Sequence, residues 1–476
     1  MLFTELRFVF FFALVFVVYW ALKGNRGRKN WLLVCSYAFY AGWNWRFLGL
    51  IVLSTLIDYV CGLQMSKHTE RARRKPWLLL SLISNLGLLG FFKYYNWFID
   101  SAAVFLDWLG VGASMGTLEI ILPVGISFYT FQTISYTIDL YRDQMEPVED
   151  FWDFALFVAF FPQLVAGPIV RAVTFLPQLQ VARRFADVDW RACATQFLFG
   201  FIKKAVVADT LARFVDQVYG QHMGDASQVL LTGDPALWDG PSLWLGLMMY
   251  SVQLYCDFSG YTDMAIATAG MLGYSLPINF NFPLFSNSVT HTWQRWHISV
   301  SNWFRDYLYI PMGGNRASPA RIYFNLVTVF VLCGLWHGAR WNFIVFGLYT
   351  GFFMILERRF GLKGTDRTSF VRWAYALAVW LIGLVLFRTV TMGTAWSYWS
   401  GMFGFGADQT TLSLDPRWWW AIAAFWLVHL FMWRRWLHPL AARLPDWSVS
   451  VAIGAGFALA LPLAASDYEP FIYFQW

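Results

Sequence analysis

Two histidines stand where few other side chains could move a proton. His337 lies in GLWHGARWN (334–342), between the apolar runs LVTVFVLC (326–333) and FIVFGLYTGFFMIL (343–356). His297 lies in TWQRWHISVSNWFRDY (292–307), among tryptophans. An imidazole ordinarily titrates near neutrality, so it can take a proton from a hydroxyl and give it back. An ionisable group inside an apolar segment is costly to keep and marks a functional candidate. Each histidine also has a plainer reading. His337 could be a neutral imidazole bonded to a carbonyl that a helix break exposes, and His297 could sit exposed on an interfacial anchor.

Other polar residues share this oily setting. In LPVGISFYTFQTISYTIDLYR (122–142), Gln132, Ser135, Tyr136 and Asp139 follow helical spacing. In QLYCDFSGYTDMAIATAG (253–270), Asp257 and Asp263 are six positions apart and do not share a helical face. That spacing argues against a paired-carboxylate acid–base site. Asp257 and Tyr261 do share a face, and either positions a catalytic group or bonds a neighbouring helix. Around His297, Trp293, Trp296, Val300, Trp303, Phe304 and Tyr307 recur at helical spacing, with Arg295, Asn302 and Arg305 between them. This predicts one aromatic amphipathic helix at the cytoplasmic interface. Arg295, Arg305 and Arg316 are candidates for attracting phosphates. Trp336, beside His337, joins Gln132, Asp257, Tyr261, Arg295, Asn302 and Arg305 as a candidate substrate contact. The five cysteines show no metal-ligand spacing, so no metal is expected. Cys333 lies one turn before His337 and offers a nucleophile, but Gly334 between them disturbs that arrangement.

These groups need elements to hold them, and composition says what kind. Of 476 residues, 58% are hydrophobic and 13% charged, about half the charged fraction of a soluble domain. Apolar segments near spanning length recur throughout, as in a polytopic membrane protein. The net charge of +6 sits in short loops beside apolar segments, which is a topology signal rather than a nucleic-acid footprint. GNRGRKN (24–30), KHTERARRK (67–75), NRASPAR (315–321), ERRFGLKGTDR (357–367) and RRWLHPLAARLP (434–445) mark the cytoplasmic face. The acidic, Gly-rich stretches 221–241 and 404–416 suit the opposite face. The first apolar stretch lacks a basic leader and a cleavage site, and reads as a retained span. Crossings are expected at 31–43 and 47–64. The expectation is all-α: about ten spans in one integral-membrane domain over 1–476, with the motif-bearing core at about 120–360.

Flanks 315–321 and 357–367 both read as cytoplasmic. Each arm of the hairpin between them counts about 14 apolar residues, or about 21 Å of helix. That falls short of a ~30 Å hydrocarbon core, so two half-spans with a break at Gly338 are expected. FFPQLVAGPIVR (160–171) predicts another broken helix. Broken helices suit a reaction chamber and a transporter equally.

Taken in order, LPVGISFYTFQTISYTIDLYR, FFPQLVAGPIVR, GFIKK, QLYCDFSGYTDMAIA, WQRWHISVSNWFRDYLYIPMGGNR, GLWHGA and EPFIYFQW resemble the membrane-bound O-acyltransferase family. The likeness is strongest to its bacterial polysaccharide O-acetyltransferases. The resemblance implies helices ringing a central tunnel, with interfacial and re-entrant pieces. It implies that His337 and His297 match the family's two histidines, with His337 as base and His297 orienting a thioester or polarising its carbonyl. It implies glycines that let the backbone break and the thioester approach. It further implies acetyl-CoA or another acyl thioester as cytoplasmic donor, no bound cofactor, and periplasmic partners that pass acetyl to alginate or cellulose. The setting would be the bacterial inner membrane. A transporter or flippase, and family members acting on lipid or D-alanyl substrates, remain as alternatives.

Overall fold

Every regular element among the described residues is helical. The computed structural model describes residues 2–112, 116–164, 167–220, 235–362, 369–404, 411, 416–436 and 443–464. Most of 221–241 and 404–416, half of 434–445 and the terminal EPFIYFQW lie outside them, and so do the expectations placed there.

Among the described residues, length and composition mark five apolar stretches able to cross a membrane. They are Asn25–Ser66, Arg71–Trp108, Pro319–His337, Phe370–Arg388 and Asp446–Leu463. The first bends at Trp45–Phe47 into helices Asn25–Asn44 and Leu48–Ser66, which contain the two crossings expected there. Arg71–Trp108, at 38 residues, is likewise longer than a single crossing requires. With the shorter apolar helices Leu6–Ala21 and Ile422–Trp433, and long helices outside those stretches such as Gly240–Met271 and Trp341–Arg359, the described residues form an all-helical, multi-pass membrane bundle. Apolar runs in this chain fuse across bends, and polar residues inside buried helices lower their hydropathy.

Several polar residues inside the bundle are paired. Asp58, fully buried, accepts from Ser81 Oγ at 2.5 Å and from Asn85 Nδ2 at 2.8 Å. Such a network ties neighbouring helices together at membrane depth. The N-terminal stretch packs inward: Phe3 lies 4.6 Å from the Tyr261 ring, and Trp20 donates to the Met271 carbonyl. The expected break near Pro162 is present, between helices Phe151–Ala159 and Phe161–Leu164.

Two expectations need correction. First, the arms of the histidine hairpin are not 14 residues long. Helices Pro319–His337 and Trp341–Arg359 have 19 residues each, about 28 Å, because both continue through polar residues that an apolar count excludes. The break at Gly338 stands, but arm length no longer argues for half-spans. Second, 279–316 is not one amphipathic helix. It folds into short pieces, Pro283–Phe285, Val289–Arg295, Ile298–Phe304 and the π-helical Arg305–Tyr309. The residues of its apolar stripe are buried rather than interfacial: Trp293, Trp296, Val300, Trp303, Phe304 and Tyr307 all lie in the core.

Candidate active site

The Pro319–His337 helix ends on its histidine because Gly338 is extended, at φ −167° and ψ 154°. The next helix starts three residues later, so the two arms fold back closely. Their glycines make this possible. A Cβ on Gly334 would stand 2.1 Å from the Phe343 carbonyl oxygen, and one on Gly338 would stand 2.2 Å from the Phe343 ring. A Cβ on Gly347 would meet the Phe330 carbonyl oxygen at 2.3 Å. The glycines thus serve close contact between the two helices.

His337 is buried, with Nδ1 2.6 Å from the Cys333 carbonyl oxygen one turn earlier. A carbonyl only accepts, so Nδ1 carries the proton and Nε2 carries the lone pair. Phe387 lies 5.2 Å away by ring centroids. Leu254, Trp293, Trp296 and Trp380 help His337 line a small void.

His297 is fully buried, not exposed at an interface. It joins helices Val289–Arg295 and Ile298–Phe304 in the left-handed region, at φ 43° and ψ 51°. A non-glycine residue persists there only when its surroundings hold it. Asn279 does the holding. Its carbonyl accepts from Ile298 N at 2.9 Å. Its side-chain oxygen accepts from Ser299 N at 3.1 Å and Ser299 Oγ at 2.9 Å, and lies 3.1 Å from His297 Nδ1. The Ser299 N–H fixes that oxygen's identity, so Nδ1 of His297 is again the donor and Nε2 the acceptor.

The two rings lie 6.3 Å apart at 74°. The Trp336 indole packs 5.0 Å from His337 and 5.6 Å from His297. Phe128 lies 5.4 Å from that indole, and Phe258 meets His297 edge-on at 4.6 Å. Histidines 40 positions apart in sequence thus share one aromatic chamber, each with its lone pair on Nε2.

The other candidates divide. Trp336 is in the chamber. Gln132 is buried one turn after Phe128, and its Oε1 has no hydrogen-bond partner among the described residues. Asp257 is instead paired with Lys204 at 2.6 Å, and Lys204 also holds Asp209 at 2.7 Å. Tyr261 packs on Phe3. These two are therefore tied into the helix packing. Arg295 is turned onto His291 at 2.7 Å. Arg305 is clamped by Asp306 at 2.6 Å and 3.1 Å. Asn302 is half-buried and hydrogen-bonded to neither histidine. The pattern of basic residues missed the neighbouring acid that occupies Arg305.

Sequence reasoning also missed Asn279 and Lys93. Lys93 Nζ lies 2.5 Å from the Trp336 carbonyl oxygen and 3.1 Å from that of His337. Tyr94 donates to the Leu335 carbonyl at 2.7 Å. A lone lysine in the apolar FFKYYNWF (91–98) was the available signal.

The sequence profile of the membrane-bound O-acyltransferase family matches residues 44–392. The chain belongs to that family. A probable alginate O-acetylase of Azotobacter vinelandii is 40% identical over 419 residues, 87% of this chain and 80% of its own. A peptidoglycan O-acetyltransferase of Helicobacter pylori is 34% identical over 441 residues, covering 85% and 80%. A teichoic acid D-alanyltransferase of Bacillus subtilis is 28% identical over 287 residues, covering 57% and 67%. This membrane-bound O-acyltransferase is therefore a multi-pass enzyme, and the transporter reading falls away. Its matched region contains both histidines, Asn279 and Lys93.

Proposed function

We propose that the chain is a bacterial inner-membrane enzyme that takes acetyl from a cytoplasmic thioester, such as acetyl-CoA, for O-acetylation of an exopolysaccharide. Alginate is the favoured polymer because the relatives named for it are the most similar of those above. Delivery runs through periplasmic proteins that accept the acetyl group. The whole chain acts as one domain, and a neutral polymer such as cellulose is the other acceptor to test.

The tautomer of His337 is the observation that carries the mechanism. With its Nδ1 proton held by Cys333, its Nε2 lone pair takes the proton of an acceptor hydroxyl. The oxygen attacks the thioester carbonyl and forms a tetrahedral oxyanion. Collapse expels the thiolate, and the imidazolium returns the proton to sulfur. The new ester keeps the acyl group, so atoms and charge balance.

Of the two parts its motif implied, orienting the thioester or polarising its carbonyl, His297 is suited to the orienting one. As a neutral Nδ1–H tautomer it has no Nε2 proton to donate, so it does not polarise a carbonyl by hydrogen bonding. It accepts instead, from the attacking hydroxyl or an amide of the donor, and so orients a substrate. Gln132, one turn after Phe128 on the same helix, offers a second acceptor, and Trp336 forms the apolar wall of the chamber. Asp257 and Tyr261 support the neighbouring helix, and Asn302, Arg295, Arg305 and Arg316 stand outside the chemistry.

The test uses purified enzyme in vesicles. Labelled acetyl-CoA, an acetyl carrier protein and a D-alanyl carrier protein are compared as donors. Uronate oligosaccharide, neutral oligosaccharide and lipid alcohol are compared as acceptors, with and without the periplasmic proteins. Acetyl transfer to the uronate chain, enhanced by those proteins, supports the reading. Transfer only of D-alanine, or only to lipid, overturns it.

A further inference from the structure

Helix ends leave four carbonyls without an intrahelical partner. At the end of Pro319–His337 those belong to Gly334, Leu335, Trp336 and His337. All four are satisfied. Gly338 N donates to Gly334 at 3.4 Å. Tyr94 OH donates to Leu335 at 2.7 Å. Lys93 Nζ serves both Trp336 and His337, at 2.5 Å and 3.1 Å. Lys93 and Tyr94 are consecutive, in the π-helical turn Gly90–Tyr94. A π turn inserts one extra residue and re-aims the side chains around it. Here it aims two neighbours at one helix end.

The ammonium has three hydrogens. Two go to the carbonyls, and the third points to Ser127 Oγ at 3.4 Å, at the start of the Ile126–Tyr141 helix. Its charge also faces the Trp336 ring at 6.0 Å. A cation at a helix C-terminus is held by the negative end of the helix dipole, which offsets its desolvation among apolar residues. With its three hydrogens committed, Lys93 holds backbone rather than substrate.

We propose that Lys93, with Tyr94, is a positioning residue for His337. The inference rests on His337 being the base. The imidazole is oriented by a bond to Cys333 O in the same final turn, so its aim is only as good as that turn's geometry. Without the clamp, three carbonyls at the helix end lose their partners and the turn frays. The ring then loses the direction in which Nε2 points. A misplacement of about 1 Å costs on the order of 10²-fold in rate.

The experiment compares Lys93→Met, Lys93→Arg and Tyr94→Phe in vesicles with saturating donor and acceptor. Lys93→Met should lose about 100-fold in kcat with the KM for the thioester within about two-fold, because ring aim and not binding is lost. Lys93→Arg, which keeps charge and several donors, should recover most of that loss. Tyr94→Phe should lose about 3- to 10-fold in kcat, and it decides the matter if Lys93→Met does not accumulate. Wild-type kcat in Lys93→Met, or in Tyr94→Phe when Lys93→Met is absent, would overturn the clamp. So would a Lys93→Arg protein as inactive as Lys93→Met. A His337→Gln control separates the two claims. Near-normal transfer by His337→Gln contradicts the base assignment, whereas an inactive His337→Gln beside a fully active Lys93→Met contradicts only the clamp.

Discussion

Nδ1 of His337 lies 2.6 Å from the carbonyl oxygen of Cys333, and that bond leaves the basic lone pair on Nε2. The contribution of Cys333 is therefore its backbone, which any residue supplies. Its thiol belongs to a different proposition. Cys333→Ser should keep near-normal acyl transfer in vesicles. A folded but inactive Cys333→Ser protein would favour an acyl-cysteine route.

Asn279 places its side-chain oxygen within reach of His297 Nδ1, Ser299 N and Ser299 Oγ at once. Asn279→Asp keeps the acceptor, and Asn279→Leu removes it. The leucine variant should lose up to about 100-fold in kcat, and the aspartate variant clearly less. Equal activity in the two would mean that the oxygen does not set His297's tautomer.

Gly334→Ala pushes a methyl group against backbone, which cannot move alone, and Gly338→Ala pushes one against the Phe343 side chain. The first should destabilise the protein by about 1–3 kcal/mol, seen as a lower unfolding temperature in detergent, and the second by less. The reverse order would contradict the close packing of the hairpin.

Lys204 is buried with Asp257 and Asp209. Removing one partner of a buried pair costs about 3–5 kcal/mol. Lys204→Met should therefore accumulate poorly and unfold at lower temperature. Asp257→Asn, which keeps shape and hydrogen bonding, should fold better and retain kcat close to wild type. A stable Asp257→Asn protein with no activity would return Asp257 to the substrate contacts.

The two histidines were legible because local motifs carry them: GLWHGA puts a base between apolar runs, and RWHIS repeats that in an aromatic setting. Their meeting was not. His297 reaches the chamber through a left-handed turn held by a residue 18 positions upstream, and no helical periodicity encodes that turn. Asp257 shows a different limit: the sequence leaves it either positioning a catalytic group or bonding a neighbouring helix, and only the fold shows which partner it has. A carboxylate in an apolar span looks functional until Lys204, on another helix, is found beside it. Arg305 read as an available cation because the next residue, Asp306, was not weighed as its partner. The all-helical membrane fold followed from composition and from the apolar segments near spanning length.

The central claim is that Nε2 of His337 removes the acceptor proton. The most direct measurement is the initial rate of labelled acetyl transfer by His337→Gln in vesicles, at protein levels matched to wild type. A fall of about 10²- to 10⁴-fold is expected with donor binding preserved, as for loss of a general base. Near-wild-type transfer by a correctly inserted His337→Gln protein would contradict it.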